Sequence, residues 1–138
     1  MGKIIEKVIV RNFGDILEKK KGLITEEKIR AVEVEAIVDT GAAFLCLPPR
    51  VIEKLGLVYL HSRDVKTANG NVKRRIFGVA EITIKDRTIV MEIMENDETT
   101  PALIGFLVLE NMDLISDPKS QKIIGNPEND GKWVMDLY

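Results

Sequence analysis

The alternation of apolar and polar residues predicts a protein built mainly from strands. Val32, Val34, Ala36 and Val38 alternate with Glu33, Glu35 and Ile37, the period of two expected of a strand that buries one face. Ile4–Val10 is β-branched and stops at Asn12-Phe13-Gly14, a turn signal; Glu18-Lys19-Lys20-Lys21-Gly22 then reads as the solvated end of a hairpin. Further strands are expected at Val79–Lys85 and Thr88–Met94, the second with Ile89, Met91 and Ile93 on one face. Short closing strands are expected at Ile123-Ile124 and Trp133–Met135. Between the arms Val65–Ala68 and Asn71–Phe77 lies Asn69-Gly70, a dipeptide that tolerates positive φ at both central turn positions and so marks a hairpin tip.

Two short helices interrupt the strands. Pro48-Pro49 before Val51–Leu55 and Gly56 after it are the punctuation of a helix. Phe106–Met112 is long enough for two turns, and Asp117-Pro118 beyond it reads as a turn. A strand, a glycine turn and a short helix before an apolar pair occur at Val38–Val58, with a faint echo at Leu103–Ile115. With no linker or low-complexity tract, residues 1–138 read as one domain, long enough to bury a core without staples.

Composition narrows the chemistry. Hydrophobic residues make up 45% and charged residues 30%, and the net charge of -2 gives no support to broad binding of nucleic acid. One cysteine excludes an internal disulfide, and one histidine excludes a cluster of several His or Cys metal ligands. Cys46, in an apolar run, reads as core, His61 as a surface residue and Trp133 as packing. Asp113, Asp117 and Asp136 are weak candidates for a metal, so neither metal nor cofactor is expected. The first eleven residues resemble neither a secretory signal nor a membrane span, which leaves the cytoplasm as the expected compartment and no membrane partner.

Asp39-Thr40-Gly41 is the segment that carries chemistry. As a bare tripeptide it is a common surface turn. Here the aspartate closes the apolar run Ala36-Ile37-Val38, and small residues, Gly41-Ala42-Ala43, lead into Phe44-Leu45-Cys46-Leu47. A carboxylate flanked on both sides by segments that should be buried is more than turn polarity.

Ala36–Ala42 resembles the active-site strand and loop of retroviral-type (retropepsin-like) aspartic proteases. Ala102-Leu103-Ile104-Gly105 is similar to the hydrophobic-glycine element of that family, Phe106–Met112 falls where the family has its helix, and the Asn69-Gly70 hairpin where it has its flap. The likeness spans about residues 33–118; the N-terminal segment and the tail resemble the family only loosely. It implies a mostly β, single-domain acid protease fold, a closed orthogonal barrel with a flap hairpin. It also implies an aspartic endopeptidase acting on protein or peptide as a homodimer. This mechanism needs two carboxylates sharing a proton, and the chain holds one Asp-Thr-Gly. The second would be Asp39 of another copy, met across a two-fold axis.

The resemblance also assigns roles. Asp39 is the catalytic acid, Thr40 reaches across the axis to brace the partner loop, and Gly41 lets the chain turn steeply away. Ala42 lacks the hydroxyl that some relatives offer to the aspartate, so the carboxylate pair should hold its proton to higher pH. Ala68, Asn69, Gly70 and Asn71 form the flap tip over the substrate, with Arg63–Gly78 as its arms, and Leu103, Ile104 and Gly105 support the site. Lys73-Arg74-Arg75 is a minor candidate for favouring acidic substrates. The competing reading is a catalytically silent module that keeps the fold for dimerisation or peptide binding. A phosphotransfer or hydrolytic enzyme with a nucleophilic aspartate is disfavoured, because it needs alternating strand-helix units and a set of acidic metal ligands.

Overall fold

Strand β1 (Ile5–Asn12) runs antiparallel to β2 (Ala31–Val38), pairing Val8 with Val34 and Val10 with Val32 in the computed structural model, which describes residues 3–135 and 137. The alternation is realised: Glu33 and Glu35 are exposed, whereas Val32 and Val34 are half-buried and Ala36 is buried.

The segment between these strands departs from expectation. Asn12 is the N-cap of helix α1 (Phe13–Lys20), its Oδ1 accepting from Asp15 N at 3.0 Å while its Nδ2 donates to Leu55 O at 2.9 Å. Glu18–Lys20 therefore ends a helix and does not tip a hairpin, with Lys19 and Lys20 beside its negative C-terminal end. Cap and turn use the same residue types, so the turn signal was ambiguous. Asp15, buried in the first turn, accepts from Arg30 N and Nε at 2.9 Å and from Nη2 at 3.0 Å. Those bonds hold its carboxyl below the ordinary carboxylate range. This contribution is complete above the unfolded-state value and is lost as pH falls through the lowered folded one.

The remaining elements are β3 (Leu45–Leu47), α2 (Pro49–Leu55), β4 (Val58–Thr67), β5 (Gly70–Ile84), β6 (Arg87–Glu95), β7 (Leu103–Ile104), α3 (Phe106–Met112), β8 (Leu114–Asp117) and β9 (Lys122–Gly125). Helix α2 has Pro49 in its first turn and ends on left-handed Gly56, as its flanking residues predict. Helix α3 matches its expected bounds. The segment at residues 79–85 is not separate: it is the inner part of the fifteen-residue β5, which also forms the descending arm of the hairpin.

In order β1-β2-β7-β3-β6-β5, six strands close into a ring through a β1–β5 pairing, and β4 is added outside β5. The mostly β, retropepsin-like class is thus realised. The ring's interior is filled by residues such as Val8, Leu45, Ile82, Ile93 and Ile104, with Ile52 of α2 and Val108 of α3 sealing it. No helix among the described residues is long and apolar enough to cross a membrane.

The C-terminal segment is held by polar contacts. Buried Arg87 donates to Met112 O and Asp113 O, each at 2.7 Å, and to Gly131 O. Residues 133–135 form no strand, contrary to expectation. Val134 N bonds the Asp113 carboxylate at 3.4 Å, and Trp133 Nε1 donates to Asn111 O at 3.1 Å. The Asp113 carboxylate thus takes the Val134 amide that a strand pairing would use, while the indole bond anchors the Trp133 side chain.

Candidate active site

The chain leaves β2 at Asp39 and turns back on itself before entering β3. Between those strands lies β7, parallel to β2 through Val38↔Ile104 and antiparallel to β3 through Leu45↔Ile104. Three backbone bonds lock the crossing: Asp39 N to Ile104 O at 2.9 Å, Phe106 N to Ala42 O at 2.9 Å, and Leu107 N to Ala43 O at 3.0 Å. The first amides of α3, which have no partner inside the helix, are thus spent on the aspartate loop. Gly105 is required here. A Cβ at that position would lie 2.4 Å from Ala43 C and Phe44 O, both backbone atoms.

Asp39 itself is half-buried, and its Oδ1 accepts from Gly41 N at 2.9 Å. Its Oδ2 has no hydrogen-bond partner among the described residues, so one oxygen is fixed and the other is left without a protein donor. Thr40 is exposed, with no hydrogen bond from its hydroxyl to another described residue. Ala42 closes the loop, its N donating to Asp39 O at 3.0 Å.

Asp39 opens into a cavity of about 570 Å³ whose floor includes Gly41–Phe44, Cys46, Leu103 and Leu107. Its roof is the β4–β5 hairpin, which contributes Arg63–Thr67 from one arm and Arg74 from the other. The sequence-derived site is therefore assembled in part. Asp39, Gly41, Ala42 and Leu103 meet at the cavity, with Ile104 and Gly105 directly beneath. Ala68, Asn69, Gly70 and Asn71 lie beyond it, at the hairpin end.

The tip also differs in register. Thr67 pairs with Gly70, so the central residues are Ala68-Asn69, and of these four positions only Gly70 has positive φ (+108°). Thr67 explains the shift: its Oγ1 donates to Gly70 O at 2.6 Å and accepts from Asn69 N at 3.2 Å. The turn is stabilised from its first residue, and glycine is needed after it, not within it.

The basic run Lys73-Arg74-Arg75 is divided between two faces. Lys73 faces its cross-strand neighbour Asp64 at 3.8 Å, and Arg75 pairs with Glu95 at 2.7 Å. Only Arg74 lines the cavity, joined by Arg63, which the sequence reading gave only as the start of a hairpin arm. Period-two counting back from the tip marks both positions, but only once the register is known.

Cys46 is buried in β3, and burial, with the nearby Asp39 charge, pushes its thiol up to about 11, which disfavours a nucleophilic thiolate. His61 is exposed on β4, its Nε2 3.2 Å from Glu92 Oε2. Asp113 lines a separate cavity of about 690 Å³ beside α3, but its carboxylate is committed to Asn126 Nδ2 at 3.0 Å and Asn129 Nδ2 at 2.6 Å. Asp117 caps its own turn, accepting from Lys119 N and Ser120 Oγ, and Asp136 lies outside the described residues.

A fixed aspartate on a crossed loop, under a hairpin and within a ring of strands, defines the retroviral-protease class of fold. EIAV protease complexed with the inhibitor HBY-793 shares it, with a TM-score of 0.54 at 14% identity over 79% of this chain and 86% of that one. Residues 25–111 match the family described as "gag-polyprotein putative aspartyl protease", and the chain belongs to that family. A search of curated proteins finds no match.

Proposed function

We propose that this chain is an aspartic endopeptidase whose centre forms when two copies bring their Asp39 carboxylates together. The observation that carries this reading is Asp39 itself: half-buried at the foot of a peptide-sized cavity, one oxygen fixed by Gly41 and the other free. Two such groups within about 3 Å cannot both ionise, so the pair holds one proton. The ionised member takes a proton from water as its oxygen bonds to the scissile carbonyl carbon, and the protonated member donates to the carbonyl oxygen. The newly protonated member then gives its proton to the leaving amine as the C–N bond breaks, and the other takes one from a hydroxyl of the diol, which returns the pair to its starting state. Exposed Thr40, at the turn of the loop, braces the partner's loop across the axis. The hairpin lies over an extended substrate and excludes water.

Cleavage of a peptide library by the full chain tests this, with Asp39→Asn as control. The expected result is cleavage that scales with dimer concentration and vanishes in the variant. A dimer that binds a statine-type transition-state mimic no better than Asp39→Asn does, and cleaves nothing at any pH, would favour the silent module instead.

A further inference from the structure

Of the seven arginines, Arg50 is exposed on α2 and lines no part of the Asp39 cavity, and the other six are used in two ways. Arg11, Arg30, Arg75 and Arg87 spend their guanidinium donors on Glu81, Asp15, Glu95 and main-chain carbonyls respectively. Arg63 and Arg74 do neither. They stand directly opposite each other across the β4–β5 ladder, both line the Asp39 cavity, and neither side chain donates a hydrogen bond to a described residue. Like charges directly opposite on neighbouring strands destabilise a sheet, so the pairing is not explained by stability of the hairpin.

The surroundings leave these donors available. The Arg63 guanidinium carbon lies over the Phe44 ring, 5.8 Å from its centroid, a contact that uses none of its N–H donors in a hydrogen bond to a described residue. Arg74 Nη2 is 3.9 Å from Asp97 Oδ2, a long ion pair at an exposed carboxylate that makes no hydrogen bond and leaves the guanidinium donors unspent. Asp97 is meanwhile occupied through Oδ1 by the backbone and hydroxyls of Thr99 and Thr100. Asp64, the other acid of this arm, is opposite Lys73.

We infer that the Arg63–Arg74 pair is a specificity element that receives an acidic side chain, Asp or Glu, of a peptide bound in the cleft. The inference rests on the peptidase reading for its biological meaning, but recognition is separable from hydrolysis. A carboxylate between the two guanidinium groups relieves their repulsion and accepts charge-assisted, forked hydrogen bonds that a neutral amide cannot match.

The test measures binding to the full chain carrying Asp39→Asn. The probes are two pools of labelled decapeptides, randomised except for a central Glu in one and a central Gln in the other. The Glu pool is expected to bind about tenfold more tightly, the effect of a hydrogen bond to a charged group. Adding Arg63→Gln and Arg74→Gln should erase that difference while leaving the thermal midpoint unchanged or raised, since a like-charge pair has been removed. Should that variant fold poorly, raising salt on the parent from about 0.05 to about 0.5 M should shrink the Glu advantage and spare Gln-pool binding. Equal binding of both pools, or a preference that survives the double substitution or high salt, would overturn the inference. If the Glu preference holds but the unsubstituted chain cleaves neither pool, the peptidase reading fails and this one stands. If it cleaves both pools equally well, the reverse is true.

Discussion

The floor and the roof of the Asp39 cavity are built on opposite plans. The floor is held from several directions: the aspartate loop is bonded to β7 and to the first turn of α3, and Leu45, Leu47 and Ile104 beneath it are wholly buried. The backbone of the roof is paired on one side only, with the Arg75–Glu95 side-chain bond as a tie to β6. Beyond the Ile76↔Met94 pair, Gly70–Arg75 has only β4 as a ladder partner, and β4 has only β5. Its outer half is mostly exposed and rich in charge. The contrast suits the proposed peptidase, in which a carboxylate meeting its twin at a set distance would need a rigid base and a cover admitting a chain would need low local stability.

The largest effect that separates the two should come from the floor's half-buried acid, Asp39. Asp39→Asn preserves shape and an oxygen that can still accept from Gly41 N, so the thermal midpoint should barely move. Peptide cleavage should fall by about 10³-fold or more, as expected when a general acid–base is removed. If the variant retained activity, the chemistry would lie elsewhere.

Gly105→Ala should be next. The added Cβ meets main-chain atoms of Ala43 and Phe44 at 2.4 Å, and backbone locked on both sides cannot yield. A loss of about 3 kcal/mol is expected, at the upper end for overpacking, read as a lower denaturant midpoint. An unchanged midpoint would mean that the crossing is looser than its bonds imply.

How far sequence foresaw each region follows from the same contrast. The floor was legible because its signals are local: alternation up to Val38, the aspartate with small residues after it, and Gly105 at the head of a short apolar helix. The roof was legible as a hairpin, but its register depended on the Thr67 hydroxyl, and the basic run could not be divided into faces until the register was set. Helix α1 was missed because Asn12 serves equally as turn or cap, and what decides between them, the carbonyls of Leu55 and Gly56, lies more than forty residues away. Residues 133–135 look like strand, but the Val134 amide goes to the Asp113 carboxylate and the Trp133 indole to the Asn111 carbonyl, with no strand neighbour. Local pattern revealed elements; partners distant in the chain decided their use.

A smaller effect tests the proton balance of the floor. Ala42→Ser adds a hydroxyl to the loop that folds back on Asp39. If that hydroxyl donates to the carboxylate pair, the ionised form gains, and the acidic limb of the pH–rate profile should move down by about one unit, the size of one charged hydrogen bond. An unmoved acidic limb in the variant would contradict this.

The smallest effect belongs to the roof and mirrors Gly105. Gly70 is also a glycine by necessity, but for a different reason. Its φ of +108° is one that L side chains rarely adopt, while a Cβ there would have nothing within 4 Å. Gly70→Ala therefore costs backbone strain alone, about 1 kcal/mol. Because the outer hairpin can open without disturbing the ring, that strain should be released locally and the global midpoint should shift little. Faster hydrogen exchange is expected at the hairpin end, with the Asp39 and Phe106 amides unchanged. If instead the whole molecule lost stability in step with the hairpin, roof and floor would be one cooperative unit, and the cover would have no freedom to admit a substrate.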